Sequence, residues 1–229
     1  MIKLLITTLI TILSITTHAT SKQYNFAHEF LPNTTRINKE VKHSLIKYNF
    51  KNIQSTILQR KATHWFPIIE PILKQYNIPN DFKYMPLVES GLNPGTSRTG
   101  AKGMWQFMPQ TARDCKLIVN KHRDDRLNEK LSTIAACVYL RDLYTEFHNW
   151  TLVAAAYNNG SNKIHRAMKH QFQSNFYRLK LNHETTQYIY ALIAMKEIIE
   201  KPMLYGYIIN DPYTFNALYT FQNTSLYQF

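Results

Sequence analysis

Glu89 is preceded by Met85-Pro86-Leu87-Val88 and followed by Ser90-Gly91-Leu92-Asn93-Pro94, so one carboxylate stands between an apolar stretch and a turn broken by glycine and proline. Withdrawal from water favours the neutral acid and raises its pKa, the condition for a proton donor that works near neutrality. A second segment, Gly100-Ala101-Lys102-Gly103-Met104-Trp105-Gln106-Phe107-Met108-Pro109, adds amide and aromatic groups after the same glycine-punctuated loop. The chemistry this pattern offers is general acid catalysis in a cleft; the plain alternative is a helix-terminal carboxylate held in an ion pair.

Three further segments follow in order: Asp124-Asp125-Arg126 leading to Ala135-Ala136, then Ala154-Ala155-Ala156-Tyr157-Asn158-Asn159-Gly160, then Glu184-Thr185-Thr186-Gln187-Tyr188. With the two segments around Glu89, they resemble lytic transglycosylases of the soluble-lytic-transglycosylase type, and most closely the membrane-bound D-type murein enzymes. The likeness runs from about Thr56 to Tyr207. It implies a mostly α, lysozyme-like domain of the goose-type and soluble-lytic-transglycosylase kind, with an N-terminal helical extension. It also implies cleavage of the β-1,4 bond between N-acetylmuramic acid and N-acetylglucosamine of peptidoglycan without water.

By that resemblance Glu89 protonates the glycosidic oxygen and then takes the proton of the muramic acid C6 hydroxyl, closing a 1,6-anhydro ring. Ordinary glycosidases need two carboxylates; here the sugar's own N-acetyl group supports the cationic centre, and an intramolecular nucleophile replaces water. Ser97 matches the loop serine that polarises the N-acetyl group, Gln106 and Met108 match cleft-lining positions, and Tyr157 with Asn158 matches the pair beside the acid. Tyr188 and Glu184 match the motif that closes the cleft opposite the loop. Aromatic faces suit the apolar faces of sugars, and amides suit hydroxyl and acetamido groups.

Each position also has a structural reading. Ser97 fits an ordinary turn residue, Tyr157 fits core packing, and Glu184 fits a cap on the final helix. Asp124, Asp125 and Arg126 fit a turn with surface ion pairs, worth about 0 to 1 kcal/mol. The loop from Glu89 to Gln106 is one residue shorter than the family's usual length, which leaves Thr96 and Thr99 as alternatives to Ser97. Lys116 stands where a glycine is usual.

The elements that must position these groups are helical. Apolar residues between Val41 and Gln75 recur at three- and four-residue spacings, which predicts amphipathic helices, with Pro67 and Pro71 at helix starts or kinks. Asn77 to Asn80 reads as a turn, and Asp81 as the cap of the helix carrying Glu89. Helices are also expected from Pro109 to about Leu117, Ser132 to Phe147, Leu152 to Tyr157 with a left-handed cap at Gly160, and Glu184 to Glu200. Residues 20–40 are polar and mixed and read as a poorly ordered lead-in. No run of period two predicts a sheet.

A chain of 229 residues with 45% hydrophobic side chains can bury one substantial core. The expected organisation is a signal peptide at 1–19, a lead-in and helical extension at 20–65, a catalytic domain at 66–207 and a tail at 208–229. Lys3, the apolar run Leu4 to Ile15 and Thr17-His18-Ala19 give the secretory pattern, with a buried or anchoring helix as the alternative. Export would place the protein in the periplasm or cell envelope. Removing residues 1–19 leaves 26 basic and 15 acidic side chains, a net charge of +11 that draws the surface to polyanions.

A cell-wall polymer bearing carboxylates meets that charge, and peripheral association with membrane or wall is expected. The basic residues are spread out and lack any zinc-finger spacing or RNP-like run, so nucleic acid is not an expected partner. No metal or other cofactor is expected, since no Cys or His cluster has ligand spacing. A monomer is expected. Cys115 and Cys137 are the two cysteines, equally compatible with a disulfide and with buried thiols. The chain ends without the wall-binding repeats common in D-type enzymes. Competing readings are a water-using muramidase of the same fold and a non-catalytic peptidoglycan-binding protein.

Overall fold

The computed structural model describes residues 22–53 and 56–207; the expected signal peptide and the tail at 208–229 lie outside the described residues. A hairpin of two-residue strands, β1 (Asn25–Phe26) and β2 (Glu29–Phe30), opens the described chain. Helix α1 (Thr35–Tyr48) follows, capped by the Thr34 hydroxyl on the Ile37 N–H. The expectation of a poorly ordered lead-in at 20–40 is therefore corrected. Phe26, Leu31 and Ile37 are buried there, and α1 packs along the last helix of the domain, a partner some 150 residues away in the chain that local composition does not reveal.

After the short α2 (Phe50–Ile53), α3 runs from Ile57 to Gln75 with both prolines inside it. They neither start nor end a helix because they lie on its exposed side, where the carbonyls they leave unpaired meet water, while Phe66, Ile69 and Leu73 keep the buried face intact. The expected domain boundary at 65/66 falls within this helix. A 3-10 turn (Asn80–Tyr84) then leads into α4 (Met85–Ser90). Asp81 does not cap that helix. Its carboxylate accepts the Ala27 N–H at 2.8 Å and the Lys196 ammonium at 2.7 Å, tying the hairpin to the far end of the domain.

The remaining helices are α5 (Pro109–Asp114), α6 (Glu129–Phe147), α7 (Trp150–Asn159), α8 (Ser161–Gln171) and α9 (His183–Glu200). Asn128, Asn149 and Asn182 cap α6, α7 and α9 through their side-chain oxygens. Helix α9 is apolar around most of its circumference, every residue from 188 to 195 being buried, as befits a helix wrapped on several sides. Helices α1, α4 and α7 pack against it, and α6 joins α7 to α3. Gly160 ends α7 at φ 86°, ψ 135°, a glycine-only region rather than the expected left-handed cap.

Candidate active site

Helix α4 is one turn and a half long because Pro86 occupies its first turn and Gly91 stops it in the left-handed region at φ 60°. The Gly91 N–H reaches the Leu87 carbonyl at 3.0 Å and the Leu92 N–H reaches that of Pro86 at 2.9 Å, closing the C-terminus. Met85, Pro86 and Leu87 sink into the core, leaving Glu89 half-buried at the last turn. Burial pushes its carboxyl from the ordinary 4.5 up to about 7; a hydrogen bond from Tyr188 opposes this and the charge of Glu184 adds to it. Glu89 is thus a carboxylic acid that exchanges its proton near neutrality.

The Tyr188 hydroxyl donates to Glu89 Oε1 at 2.7 Å. Glu184, one turn earlier on α9, shares that face, is exposed, and its side chain forms no hydrogen bond among the described residues. The cap of α9 is Asn182, bound to the Thr185 N–H at 2.7 Å, so the capping role weighed for Glu184 belongs to its neighbour. The Thr185 hydroxyl donates to Asn158 Oδ1 at 3.1 Å, joining the start of α9 to the end of α7. Tyr157, half-buried on α7, donates its hydroxyl to the Trp105 carbonyl at 2.8 Å. Burial first, and then the Glu89 charge, hold both phenols well above the ordinary tyrosine range, so Tyr157 and Tyr188 remain donors.

The loop from 93 to 107 is a built structure. Isolated bridges pair Thr96 with Lys102 and Lys102 with Phe107. The Ser97 hydroxyl oxygen accepts the Ala101 N–H at 3.0 Å and lies 3.0 Å from Thr99 Oγ1, so both hydroxyls are engaged within the loop. None of Thr96, Ser97 and Thr99 hydrogen-bonds Glu89. The Gln106 amide donates to the carbonyls of Gly95 at 3.1 Å and Gly103 at 2.7 Å, with its backbone at φ 50°. Its side-chain oxygen is left without a protein partner among the described residues. Met108 is exposed on the same stretch.

Some groups that hold this site stand in the motifs quoted above, but the sequence does not give the bonds they make. Ser90 donates to the carbonyl of Pro86 or of Met104, at 3.1 and 2.9 Å, joining the acid's helix to the loop. Asp124 and Arg126 are not the surface pair they resemble in sequence. The Arg126 guanidinium is buried, donating to the carbonyls of Gly100 at 2.9 Å and Phe107 at 3.1 Å and to both oxygens of Asp124. These bonds, with Lys102 close by, hold the Asp124 carboxyl down to about 2. Gly103 passes so close that a Cβ there would sit 1.9 Å from the Arg126 carbonyl oxygen.

Trp105 offers no face to a sugar: it is 0% exposed, with its indole N–H on Thr133 at 2.9 Å. Cys115 and Cys137 stand free and buried, their thiols pushed up to about 11 and about 12 by burial. Among the described residues no three His, Cys, Asp or Glu side chains are grouped to hold a metal ion.

Residues 66–180 match the family described as the Transglycosylase SLT domain. The chain belongs to this SLT family. Membrane-bound lytic murein transglycosylase D of Escherichia coli strain K12 is 33% identical over 140 residues, covering 58% of this chain and 31% of that protein. The same protein from strain CFT073 matches equally. The SLT chain thus spans about a third of the length of these curated relatives. The crystal structure of the 70 kDa soluble lytic transglycosylase of E. coli superimposes with a TM-score of 0.52 at 19% identity, over 77% of this chain and 30% of that one. The fold is accordingly mostly α and of the lysozyme-like SLT kind. Glu89, Gln106, Tyr157 and Asn158 lie within the matched span, whereas Glu184 and Tyr188 lie beyond it and reach the site through α9.

Proposed function

We propose that this SLT chain is a peptidoglycan lytic transglycosylase. The observation that carries the proposal is Glu89, a half-buried carboxyl at the end of α4 held at about pH 7 with one tyrosine donor. Glu89 gives its proton to the glycosidic oxygen as the bond from C1 of N-acetylmuramic acid to that oxygen breaks. The resulting carboxylate takes the proton of the C6 hydroxyl, whose oxygen bonds to C1, so the acid is regenerated and no water is consumed. Tyr188 steadies the anionic form between the two steps.

In this reading Gln106 Oε1, Asn158, Met108 and Glu184 face the glycan, and Ser97 shapes the loop that holds the N-acetyl group. Residues 66–207 carry the catalysis, and 20–65 is an extension, whose described residues pack on them and share helix α3. The protein acts as an exported monomer of the cell envelope, with residues 1–19 as its signal, associated peripherally with membrane or wall. Mass spectrometry of digested peptidoglycan tests the chemistry. Muropeptide ends one water lighter than reducing ends support it, and reducing ends would replace it with a hydrolytic muramidase. Wall binding without any product would leave a non-catalytic binding protein.

A further inference from the structure

Helix α8 and the loop after it carry an exposed aromatic ring that the fold does not use. Phe172 is 96% exposed and sits in the left-handed region at φ 46°, ψ 44°, the capping position of α8. Glycine or asparagine suits that conformation; a bulky residue is disfavoured there. The same loop buries Phe176 and most of Tyr177, so an aromatic side chain could be taken inside, and Phe172 is not. Neither backbone preference nor core packing accounts for this residue.

Its surroundings are basic. Helix α8, Ser-Asn-Lys-Ile-His-Arg-Ala-Met-Lys-His-Gln, has no acidic residue and buries only Ile164. Arg166, Lys169 and His170 are exposed and lie on one side of the helix by their three- and four-residue spacing. The Gln171 side chain accepts the Lys180 N–H at 2.7 Å and donates to the Lys180 carbonyl at 3.0 Å. This double bond pattern closes the loop at its base and brings Lys180 to the turn that presents Phe172. Among the described residues, Arg166, Lys169, Arg178 and Lys180 form no ion pair. A pocket of mixed polar and apolar lining borders the same region, with Met168, Ser174, Asn175, Phe176 and the exposed Phe30 of the hairpin among its walls.

We infer that the α8 tip docks on an anionic phospholipid bilayer, with Phe172 entering the headgroup boundary and Arg166, Lys169, Arg178 and Lys180 against the lipid phosphates. An exposed aromatic ring on the same segment as basic side chains that form no ion pair fits a lipid surface, whereas a polymer strand is held in a groove. The orientation is consistent with the site. Helix α8 starts beside Asn159, next to the α7–α9 junction, and its 11 residues carry the tip about 16 Å away, so docking leaves the cleft open. This gives a face to the peripheral association proposed above. It rests on the envelope reading for the presence of a bilayer and not on the chemistry of Glu89.

The test is flotation of the protein, isolated from cells producing the full chain, with vesicles of phosphatidylglycerol and phosphatidylcholine against phosphatidylcholine alone. Binding to the anionic vesicles that weakens with salt is expected. One basic side chain near such a surface contributes about fivefold in partition, so Arg166→Gln/Lys169→Gln/Lys180→Gln should lose about 100-fold. Phe172→Asn, which suits the left-handed backbone, should lose about tenfold. All variants should melt no lower than the parent and release glycan fragments from soluble wall digests at the parent rate.

Equal binding to neutral vesicles, or unchanged binding by the variants, overturns the inference. So does a triple variant that instead loses sedimentation with purified wall sacculi, which would make the patch a polymer contact. A parent protein that binds anionic vesicles but releases no glycan fragments would overturn the proposed chemistry and leave the docking face standing.

Discussion

Glu89→Gln tests the acid by its effect on stability as well as on rate. The Glu89 carboxyl sits at about 7 in the folded protein against an ordinary 4.5, so the folded state holds its proton more tightly than the unfolded chain. The contribution of Glu89 to stability is then at its fullest below about pH 4.5, falls as pH rises and the unfolded chain ionises first, and levels off above about pH 7. At 1.36 kcal/mol per tenfold, the ceiling on this loss is about 3.4 kcal/mol. Partial exposure of the carboxyl screens it, and about 1–3 kcal/mol is expected.

Glutamine keeps the shape and still accepts the Tyr188 hydroxyl, but never ionises. Differential scanning calorimetry should show Glu89→Gln melting about 4–8 °C above the parent at pH 8, for a gain of about 2 kcal/mol, with the two nearly equal at pH 4. The same variant should lose about 10²–10⁴-fold in glycan release. An identical Tm difference at both pH values, or a less stable variant at pH 8, would refute the buried acid.

Tyr188→Phe removes a bond that favours the carboxylate, so the pKa of Glu89 must rise; the falling alkaline limb of the pH–rate profile should move up by about 1–2 units. A limb that stays in place or moves down would mean that Tyr188 does not govern the acid. Gly103→Ala drives a methyl group into the Arg126 carbonyl at a backbone of φ 80°; urea unfolding should show a loss of about 2–4 kcal/mol together with weakened cleavage. Asp124→Asn should cost about 2 kcal/mol at pH 7, and the gap should close as pH falls from 4 to 2, because the parent's own carboxylate protonates there. Lys116→Gly relieves a left-handed lysine at φ 68° and should raise stability by about 0.5–1 kcal/mol after the added freedom of the unfolded chain, read from the urea midpoint.

The sequence determined what local chemistry can write. It marked the apolar run before Glu89 and the glycine after it, which specify a short buried helix ending in an acid. It also marked the spacing that makes α6 and α9 helical, and the ordered motifs of the SLT family. Tertiary structure decided everything that depended on which surfaces meet. The polar average of residues 20–40 hid Phe26, Leu31 and Ile37, which are buried where α1 packs along α9 and Phe26 meets Phe82. Pro67 and Pro71 were compatible with a helix only because they fall on its wet side.

Trp105 stands in the motif between Met104 and Gln106, yet lies wholly inside, while Asp124 and Arg126 read as a surface pair, yet form the buried brace of the loop. A residue's type fixes what bonds it can form, but burial fixes their strength and their partners. Glu89 was therefore legible in the chain as a candidate acid, whereas its raised pKa, set by desolvation against a hydrogen bond from a tyrosine 99 residues further on, belongs to the folded protein alone.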